Sequence, residues 1–343
     1  MDIEQAAELV AFLQARGEGA PVATCVLVGG VSNRTVLVQW PNGDAWVMKQ
    51  ALAKLRVKAV WFSDPARIHR EALGLRWMEK LLPGASPALI FEDEANHILA
   101  MQAVPQPHDN WKAMLLRGDL RDEHVMQFAT ILAGIQRNAL AQSDALSTRF
   151  EDQAFFESLR LEPYFAYTAA QVPPAAAFMR ALIERTRANR HTLVHGDYSP
   201  KNVLVQGDRL MLLDFEVMHW GDPAFDVGFS MAHLLSKAHH CSANAGRAAT
   251  QRAAFARAAQ LYWQTYFARV AGLFGDLELR SVHCTLGCLL ARVAGRSPLE
   301  YLSEGERRRQ RKVVLALLAS LPASMQALID AFVANLEPDE LSR

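Results

Sequence analysis

Cysteine is scarce in this chain of 343 residues, which contains only Cys25, Cys241, Cys284 and Cys288. Their spacing does not match a disulfide framework, so a small disulfide-stabilised domain is excluded. The last two cysteines are four residues apart in a predicted helix. We expect both to be buried thiols, because a metal site would need further ligands nearby.

Long apolar runs and an excess of charge of one sign are absent too. No stretch approaches the roughly 20 apolar residues that a membrane-spanning helix needs. The first five residues, Met1 to Gln5, lack the apolar core of a secretory signal, so we expect a cytoplasmic location. Basic and acidic residues number 36 each. This balance gives no global reason to expect a nucleic acid or an anionic membrane as partner.

The distribution of apolar residues predicts an α+β protein with two lobes. In the first third, short apolar runs separated by turn residues predict a five-stranded antiparallel sheet, with helices near residues 2–16 and 64–82. The predicted strands are Ala23–Val28, Thr35–Trp40, Ala45–Met48, Ala88–Glu92 and Ile98–Met101. After Pro105 the periodicity is helical, over 121–139, 174–188, 223–238, 247–272, 278–294 and 304–334. We therefore expect an N-lobe of residues 1–104 and a C-lobe of residues 105–343.

The most informative stretch runs from His195 to Asn202 and is followed by Asp214-Phe215-Glu216. Apolar runs flank both segments, and Gln206-Gly207-Asp208-Arg209 predicts a hairpin turn between two strands. This layout brings Asp197, Asn202 and Asp214 to one end of a small sheet. An aspartate can accept a hydroxyl proton, while an asparagine and an acidic turn can hold magnesium on nucleotide phosphates. The pattern therefore indicates phosphate transfer from ATP.

The predicted N-lobe adds residues that suit a nucleotide. A Gly29-Gly30-Val31-Ser32-Asn33 turn lies between two predicted strands, where small residues let backbone amides approach phosphates and Ser32 and Asn33 add donors. Lys49 ends the third strand and can neutralise phosphates. Glu71, on the following predicted helix, can hold that lysine in place.

This order of elements and the wording of the motifs resemble the aminoglycoside phosphotransferase and choline kinase family, which has a protein-kinase-like fold. The resemblance rests on the stretch from Leu193 to Asp197 and on Gly221-Asp222-Pro223-Ala224-Phe225-Asp226. It implies that Asp197 orients or deprotonates the acceptor hydroxyl, and that Asn202 and Asp214 bind magnesium.

The same resemblance extends to the N-lobe and to the link between the lobes. It implies that Lys49, paired with Glu71, contacts the phosphates of ATP. It further implies that Asp226 braces the catalytic loop, and that adenine contacts the hinge backbone at Gln102 and Val104.

A narrower similarity, to the methylthioribose kinases, runs from Lys49 through Trp61 to Ile68 and includes an Asp-x-Glu turn. It implies that Glu216 is a further metal ligand. The paired arginines of those enzymes, which contact the sugar, correspond here to Ala291-Arg292. Arg292 and Arg296 lie in the C-terminal segment 241–343, which has a net positive charge, and they are our candidate contacts for a neutral or anionic acceptor.

These observations predict an ATP- and magnesium-dependent kinase that phosphorylates a hydroxyl of a small polar metabolite, with a sugar of the methylthioribose type as one candidate. An aminoglycoside phosphotransferase is the alternative acceptor class. Residues 241–343 contain 13 basic and 9 acidic residues, a net charge of +4. Because aminoglycosides are polycations, this charge favours a neutral or anionic acceptor instead. A nucleotide-binding protein without catalysis is the alternative of another class.

Overall fold

The N-lobe combines one sheet with two helices. The structure is a computed structural model that describes residues 1–28, 30, 32–56, 61–241 and 248–336. The elements of this lobe are α1 (Ala6–Ala15), β1 (Ala23–Val26), β2 (Asn33–Gln39), β3 (Ala45–Ala51), α2 (Arg67–Leu81), β4 (Leu89–Asp93) and β5 (Ile98–Gln102). The sheet is antiparallel throughout, in the order β1-β2-β3-β5-β4, which confirms the predicted five-stranded sheet.

Alternation along β3 determines which side chains reach the site. Successive side chains of a strand point to opposite faces of a sheet. Met48 therefore packs into the apolar cluster beneath α1, together with Leu9, Leu13 and Val38. The next residue, Lys49, lines the large cavity of the molecule on the other face.

The C-lobe is mostly helical. Its elements are β6 (Asp109–Asn110), α3 (Trp111–Leu116), α4 (Asp122–Leu140), α5 (Ser143–Arg149), α6 (Ala154–Phe156), a π-helical segment (Glu157–Ala166), α7 (Tyr167–Gln171), α8 (Ala176–Ala188), β7 (Thr192–Val194), β8 (Val203–Gln206), β9 (Arg209–Leu212), β10 (His219–Gly221), α9 (Pro223–Cys241), α10 (Ala248–Val270), α11 (Leu277–Ala294), α12 (Glu304–Ala319) and α13 (Met325–Ala334). The sheet of the N-lobe ends at Gln102 and the first C-lobe helix begins at Trp111, so we keep residue 104 as the proposed boundary.

Two parts of the C-lobe differ from the sequence prediction. The periodic segment 304–334 is divided into α12 and α13, because Pro322 follows α12 and has no N–H for a helical hydrogen bond. Ser324 then caps α13 by accepting a hydrogen bond from the Ala327 N–H. Residues 143–171, for which we predicted no element, form short helices around a π-helical segment that contains Pro163.

Two small sheets carry the motif residues. β7 pairs with β10, and β8 pairs with β9 through the predicted hairpin, in which Gln206 is opposite Arg209. Gly207 has a φ of 58°, which suits glycine at this turn. The loop after β7 and the turn after β9 contain the catalytic motif and the acidic turn.

The C-lobe core depends on close contact between α9 and α11. Most residues of α11 are buried. A Cβ atom added at Gly228 of α9 would lie 2.6 Å from the carbonyl carbon of Cys284 and 2.7 Å from the Thr285 nitrogen. Both are backbone atoms, so the helices would have to separate. We expect Gly228→Ala to lower the free energy of unfolding by about 1–3 kcal/mol in urea titrations.

Gly134→Ala is the matched control for this substitution. Gly134 lies within α4, and a Cβ atom there would meet only the side chain of Leu82, at 3.2 Å. That side chain can move, and alanine favours helix more than glycine does by about 1 kcal/mol. Equal losses for the two variants would contradict the importance of the α9–α11 contact.

His219, in β10, couples stability to pH. Its ring is buried against Phe156, with 3.9 Å between ring centroids. Burial lowers the pKa of His219 to about 3, and its Nδ1 donates to the Val217 carbonyl at 2.9 Å. Below its ordinary pKa of 6.5, the unfolded chain binds a proton here and the folded protein does not. Acid therefore favours the unfolded state.

We expect this residue to remove about 2 kcal/mol of stability between pH 7 and pH 5. His219→Asn keeps a side-chain donor but does not titrate, so its unfolding free energy should depend less on pH by about that amount. Denaturant titrations at the two pH values measure the difference. Identical pH dependence in His219→Asn and the parent would contradict the prediction.

Candidate active site

A cavity of about 600 Å³ lies between the N-lobe sheet and the C-lobe helices. From the N-lobe it is lined by Gly30, Ser32, Asn33, Thr35, Lys49, Leu55 and Trp61. From the C-lobe motifs it is lined by Asp197, Ser199, Lys201, Asn202, Leu213, Asp214 and Glu216. Residues more than 150 positions apart in sequence therefore share one cavity.

Asp197 is held by two neighbours. Its Oδ2 accepts a hydrogen bond from Asn202 Nδ2 at 2.8 Å. The same oxygen forms an ion pair with Arg160 Nη2 at 2.9 Å. Asn202 Nδ2 also lies 3.0 Å from the Asp197 carbonyl oxygen. Because the amide nitrogen of Asn202 faces Asp197, its amide oxygen is left to act as an acceptor or a metal ligand.

The backbone before Asp197 is fixed by buried groups. Asp226 accepts hydrogen bonds from the His195 and Gly196 N–H groups at 2.7 and 2.8 Å. Burial lowers the pKa of His195 to about 4, so its ring is neutral at pH 7. Its Nδ1 accepts from the Asp197 N–H at 3.1 Å, and its Nε2 donates to the Leu213 carbonyl at 3.1 Å. His195 thus joins the catalytic loop to the residue before Asp214.

Lys49 links the two lobes electrostatically. Its Nζ lies 2.5 Å from Glu71 Oε1 and 3.8 Å from Asp214 Oδ1. Burial disfavours its charge, but Glu71 and Asp214 outweigh that effect and raise the pKa of Lys49. Burial alone would raise the pKa of Asp214, but the nearby cations Lys49, Lys201 and Arg160 keep it below the ordinary value. The lysine is therefore a fixed cation beside an ionised carboxylate.

The acidic turn has the features of a cation site. Asp214 has a φ of 71°, in the left-handed region that aspartate tolerates better than most residues. Its Oδ1 is buried and accepts no hydrogen bond from any residue that the structure describes. Burial, together with the nearby Asp214 carboxylate, raises the pKa of Glu216. Magnesium prefers oxygen ligands and uses few carboxylates together with substrate phosphates, so Asn202, Asp214 and Glu216 fit it.

Two buried arginines at the site were not among the predicted residues. Arg160, in the π-helical segment, donates from Nε to the Gly196 carbonyl at 2.9 Å in addition to its ion pair with Asp197. Arg67, at the start of α2, lies 3.1 Å from Glu216 and donates to the carbonyls of Leu52 and Ser32. Arg67 thus connects the N-lobe turn to the acidic turn.

The remaining predicted residues occupy different positions. Arg292 lines the cavity, whereas Arg296 is not among the described lining residues and pairs with Glu162 at 2.9 Å. Gln102 ends β5 and Val104 is buried just beyond it, so both stay candidate hinge positions. Gly29 and Val31 of the predicted phosphate-binding turn lie outside the described residues.

A small antiparallel sheet above a helical lobe, with a lysine, a loop aspartate and an acidic turn around one cavity, defines the protein-kinase-like class. The profile of the phosphotransferase enzyme family matches residues 24–273. The chain belongs to this family.

Curated relatives and solved structures agree with the fold. "Methylthioribose kinase 2" of Oryza sativa subsp. japonica is 24% identical over 267 residues, which cover 67% of this chain and 62% of the rice protein. The chain thus spans less than two thirds of that relative. A choline kinase of Streptococcus pneumoniae has a TM-score of 0.50 at 13% identity, covering 97% of this chain and 99% of that one. The GDP complex of an aminoglycoside 2'-phosphotransferase IIIa mutant has a TM-score of 0.53 at 15% identity, covering 96% and 100%.

Over the described parts of the chain, none of the helices combines the length and the apolar character that crossing a bilayer requires.

Proposed function

We propose that this protein is an ATP- and magnesium-dependent kinase that transfers the γ-phosphate to a hydroxyl group of a small polar metabolite. The observation that carries the proposal is the convergence of Lys49, Asp197, Asn202 and Asp214 on one cavity. Membership of the phosphotransferase enzyme family and the nucleotide in one structural neighbour support it.

In this mechanism Asp197 positions the acceptor hydroxyl and takes its proton late in the transfer. Arg160 and Asn202 both contact Oδ2 of Asp197 and so fix its orientation. Lys49 and the Ser32-Asn33 turn orient the phosphates, and Glu71 holds Lys49. Magnesium, held by Asn202, Asp214 and Glu216, would neutralise charge on the phosphates. The protein accelerates the reaction mainly by positioning the reactants and neutralising charge, because phosphoryl transfer requires little covalent chemistry from the protein.

A coupled assay of ADP release tests the proposal. ATP or GTP is supplied with magnesium, and the acceptors are methylthioribose, other pentoses, amino alcohols, hydroxyamino acids and aminoglycosides. Methylthioribose is included because of the rice relatives, and aminoglycosides because of the structural neighbours. Acceptor-dependent release that is absent in Asp197→Asn supports the kinase. Release equal to this blank for every acceptor contradicts it and favours the non-catalytic alternative.

A further inference from the structure

One part of the cavity wall is built entirely from the C-lobe and takes no part in the nucleotide site proposed above. It connects α3, the π-helical segment, α9, α11 and the loop after α11. We call it the acceptor wall, and its members are Lys112, Tyr164, Phe229, His233, Arg292 and Glu300. Its aromatic members are in contact, since the ring centroids of Tyr164 and Phe229 are 5.8 Å apart and those of Phe229 and His233 are 5.1 Å apart.

Arg292 brings a buried positive charge to this wall, and Glu300 attracts it without touching it. The Arg292 Nη1 donates to the Tyr164 hydroxyl at 2.9 Å and to the Ser297 carbonyl at 2.5 Å. Both partners are uncharged, and Arg292 forms no ion pair with any carboxylate in the part of the chain that the structure describes. Its Nε has no partner there either. A buried charge without a contacting counter-ion is costly, which indicates that the ligand supplies one.

His233 is the second unsatisfied group of the wall. Its side chain is buried, and neither ring nitrogen has a hydrogen-bond partner among the described residues. Burial and the nearby cations Lys237, Arg292 and Lys112 lower its pKa, so the ring is neutral. A neutral imidazole offers one donor and one acceptor, a pair that a hydroxyl group can satisfy.

The remaining charges of the wall cancel. Lys112 and Glu300 form an ion pair with each other. The wall therefore has the net charge of Arg292 alone, which matches one monoanionic group. A guanidinium presents a planar fork of N–H groups that fits a carboxylate.

We infer that the acceptor is a small hydroxy acid, whose carboxylate binds Arg292 and whose hydroxyl groups contact His233 while one of them receives the phosphate. This inference rests on the proposed kinase function and adds the charge of the substrate to it. The sequence predicted a neutral or anionic acceptor, and this inference selects the anionic one.

Matched sets of acceptors test the charge directly. The sets are glycerol and glycerate, ribose and ribonate, and glucose, gluconate, glucosamine and glucose 6-phosphate. ADP release gives kcat and KM for each acceptor, and calorimetry in the presence of magnesium and ADP measures binding of those that do not turn over. We expect the acid of a set to exceed its neutral and cationic counterparts by about tenfold or more in kcat/KM or in affinity.

Arg292→Gln tests the residue. It should raise the KM or Kd for the acid by about 30-fold or more, with a smaller effect on kcat and none on affinity for ADP. His233→Phe keeps roughly the volume of the ring and removes both nitrogens, so it should raise the KM or Kd for the same acid. This variant tests the acceptor wall independently if Arg292→Gln does not fold. Arg269→Gln, at an exposed arginine of α10, is the matched control and should behave like the parent.

The outcomes separate the two proposals. Phosphorylation of neutral, cationic or phosphate-ester acceptors in preference to the acid contradicts the hydroxy-acid inference and leaves the kinase function intact. The inference is also wrong if no acid is a substrate or an Arg292-dependent ligand. ADP release that does not depend on Asp197 for any acceptor contradicts the kinase function itself.

Discussion

Asp197→Asn is expected to lower kcat by about 10²–10⁴-fold, because the substituted amide cannot take the proton of the acceptor hydroxyl. Affinity for ATP should not change, since the phosphates are assigned to Lys49 and the acidic turn. Asparagine has nearly the same shape, and its side-chain oxygen can still accept a hydrogen bond from Asn202 or Arg160. The fold around the loop should therefore persist. Acceptor-dependent ADP release and calorimetric titration with ATP measure the two effects.

Asp208→Asn is the matched control for this substitution. Asp208 lies in the exposed turn between β8 and β9, outside the described lining of the cavity, so the same chemical change there should leave turnover intact. Retained turnover in Asp197→Asn would show that another group accepts the proton. A parallel loss in both variants would indicate a general effect on the C-lobe.

The sequence was most informative where chemistry, turns and periodicity occur together. The Gly207 hairpin follows from local rules, and with the flanking apolar runs it predicted that Asp197, Asn202 and Asp214 lie at one end of a small sheet. The order of the elements, which resembles that of the family, added Lys49 to this site. The structure brings these residues to one cavity. The helix break at Pro322 also has a local signal that the periodicity of 304–334 obscured.

The contacts that the sequence did not predict are long-range. Arg160 meets Asp197 across 37 positions, and Arg67 meets Glu216 across 149. Arg67 lies in the stretch that resembles the methylthioribose kinases, but the resemblance gave it no role. Arg160 belongs to no motif and lies in a π-helical segment whose path no residue pattern indicates. The sequence also did not predict a role for His233, because a histidine on an apolar helix is normally part of the core. Only its unpartnered ring nitrogens in the cavity wall distinguish it.

The net charge of the C-terminal segment and the charge of the acceptor wall are both positive. The first favours a neutral or anionic acceptor, and the second favours an anionic one. The net charge of +4 over residues 241–343 includes the exposed arginines of α12, which do not line the cavity. The local count depends on Arg292, whose hydrogen-bond partners, the Tyr164 hydroxyl and the Ser297 carbonyl, are uncharged. Local pairing is the better guide to the substrate, because salt screens buried charges much less than exposed ones.

The second large effect is expected at Asp214. Asp214→Ala should remove the dependence of nucleotide binding on magnesium and weaken binding of the magnesium–ADP complex by about 100-fold or more, since even outer-shell partners of a metal contribute about 10- to 100-fold. The buried Oδ1 has no hydrogen-bond partner among the described residues. Its loss therefore breaks no hydrogen bond, but it removes both a ligand and the 3.8 Å ion pair with Lys49. Calorimetric titration of ADP with and without magnesium measures the change.

Backbone conformation requires a second variant at this position. Alanine is strained at the φ of 71° that Asp214 adopts, whereas asparagine tolerates it. Asp214→Asn therefore removes the charge while keeping the backbone, and it should lose the magnesium effect to a similar extent. If magnesium still strengthens ADP binding in Asp214→Asn as in the parent, Asp214 is not a metal ligand. If only Asp214→Ala loses binding, the cause is the turn itself, and the cation site must be sought around Asn202 and Glu216.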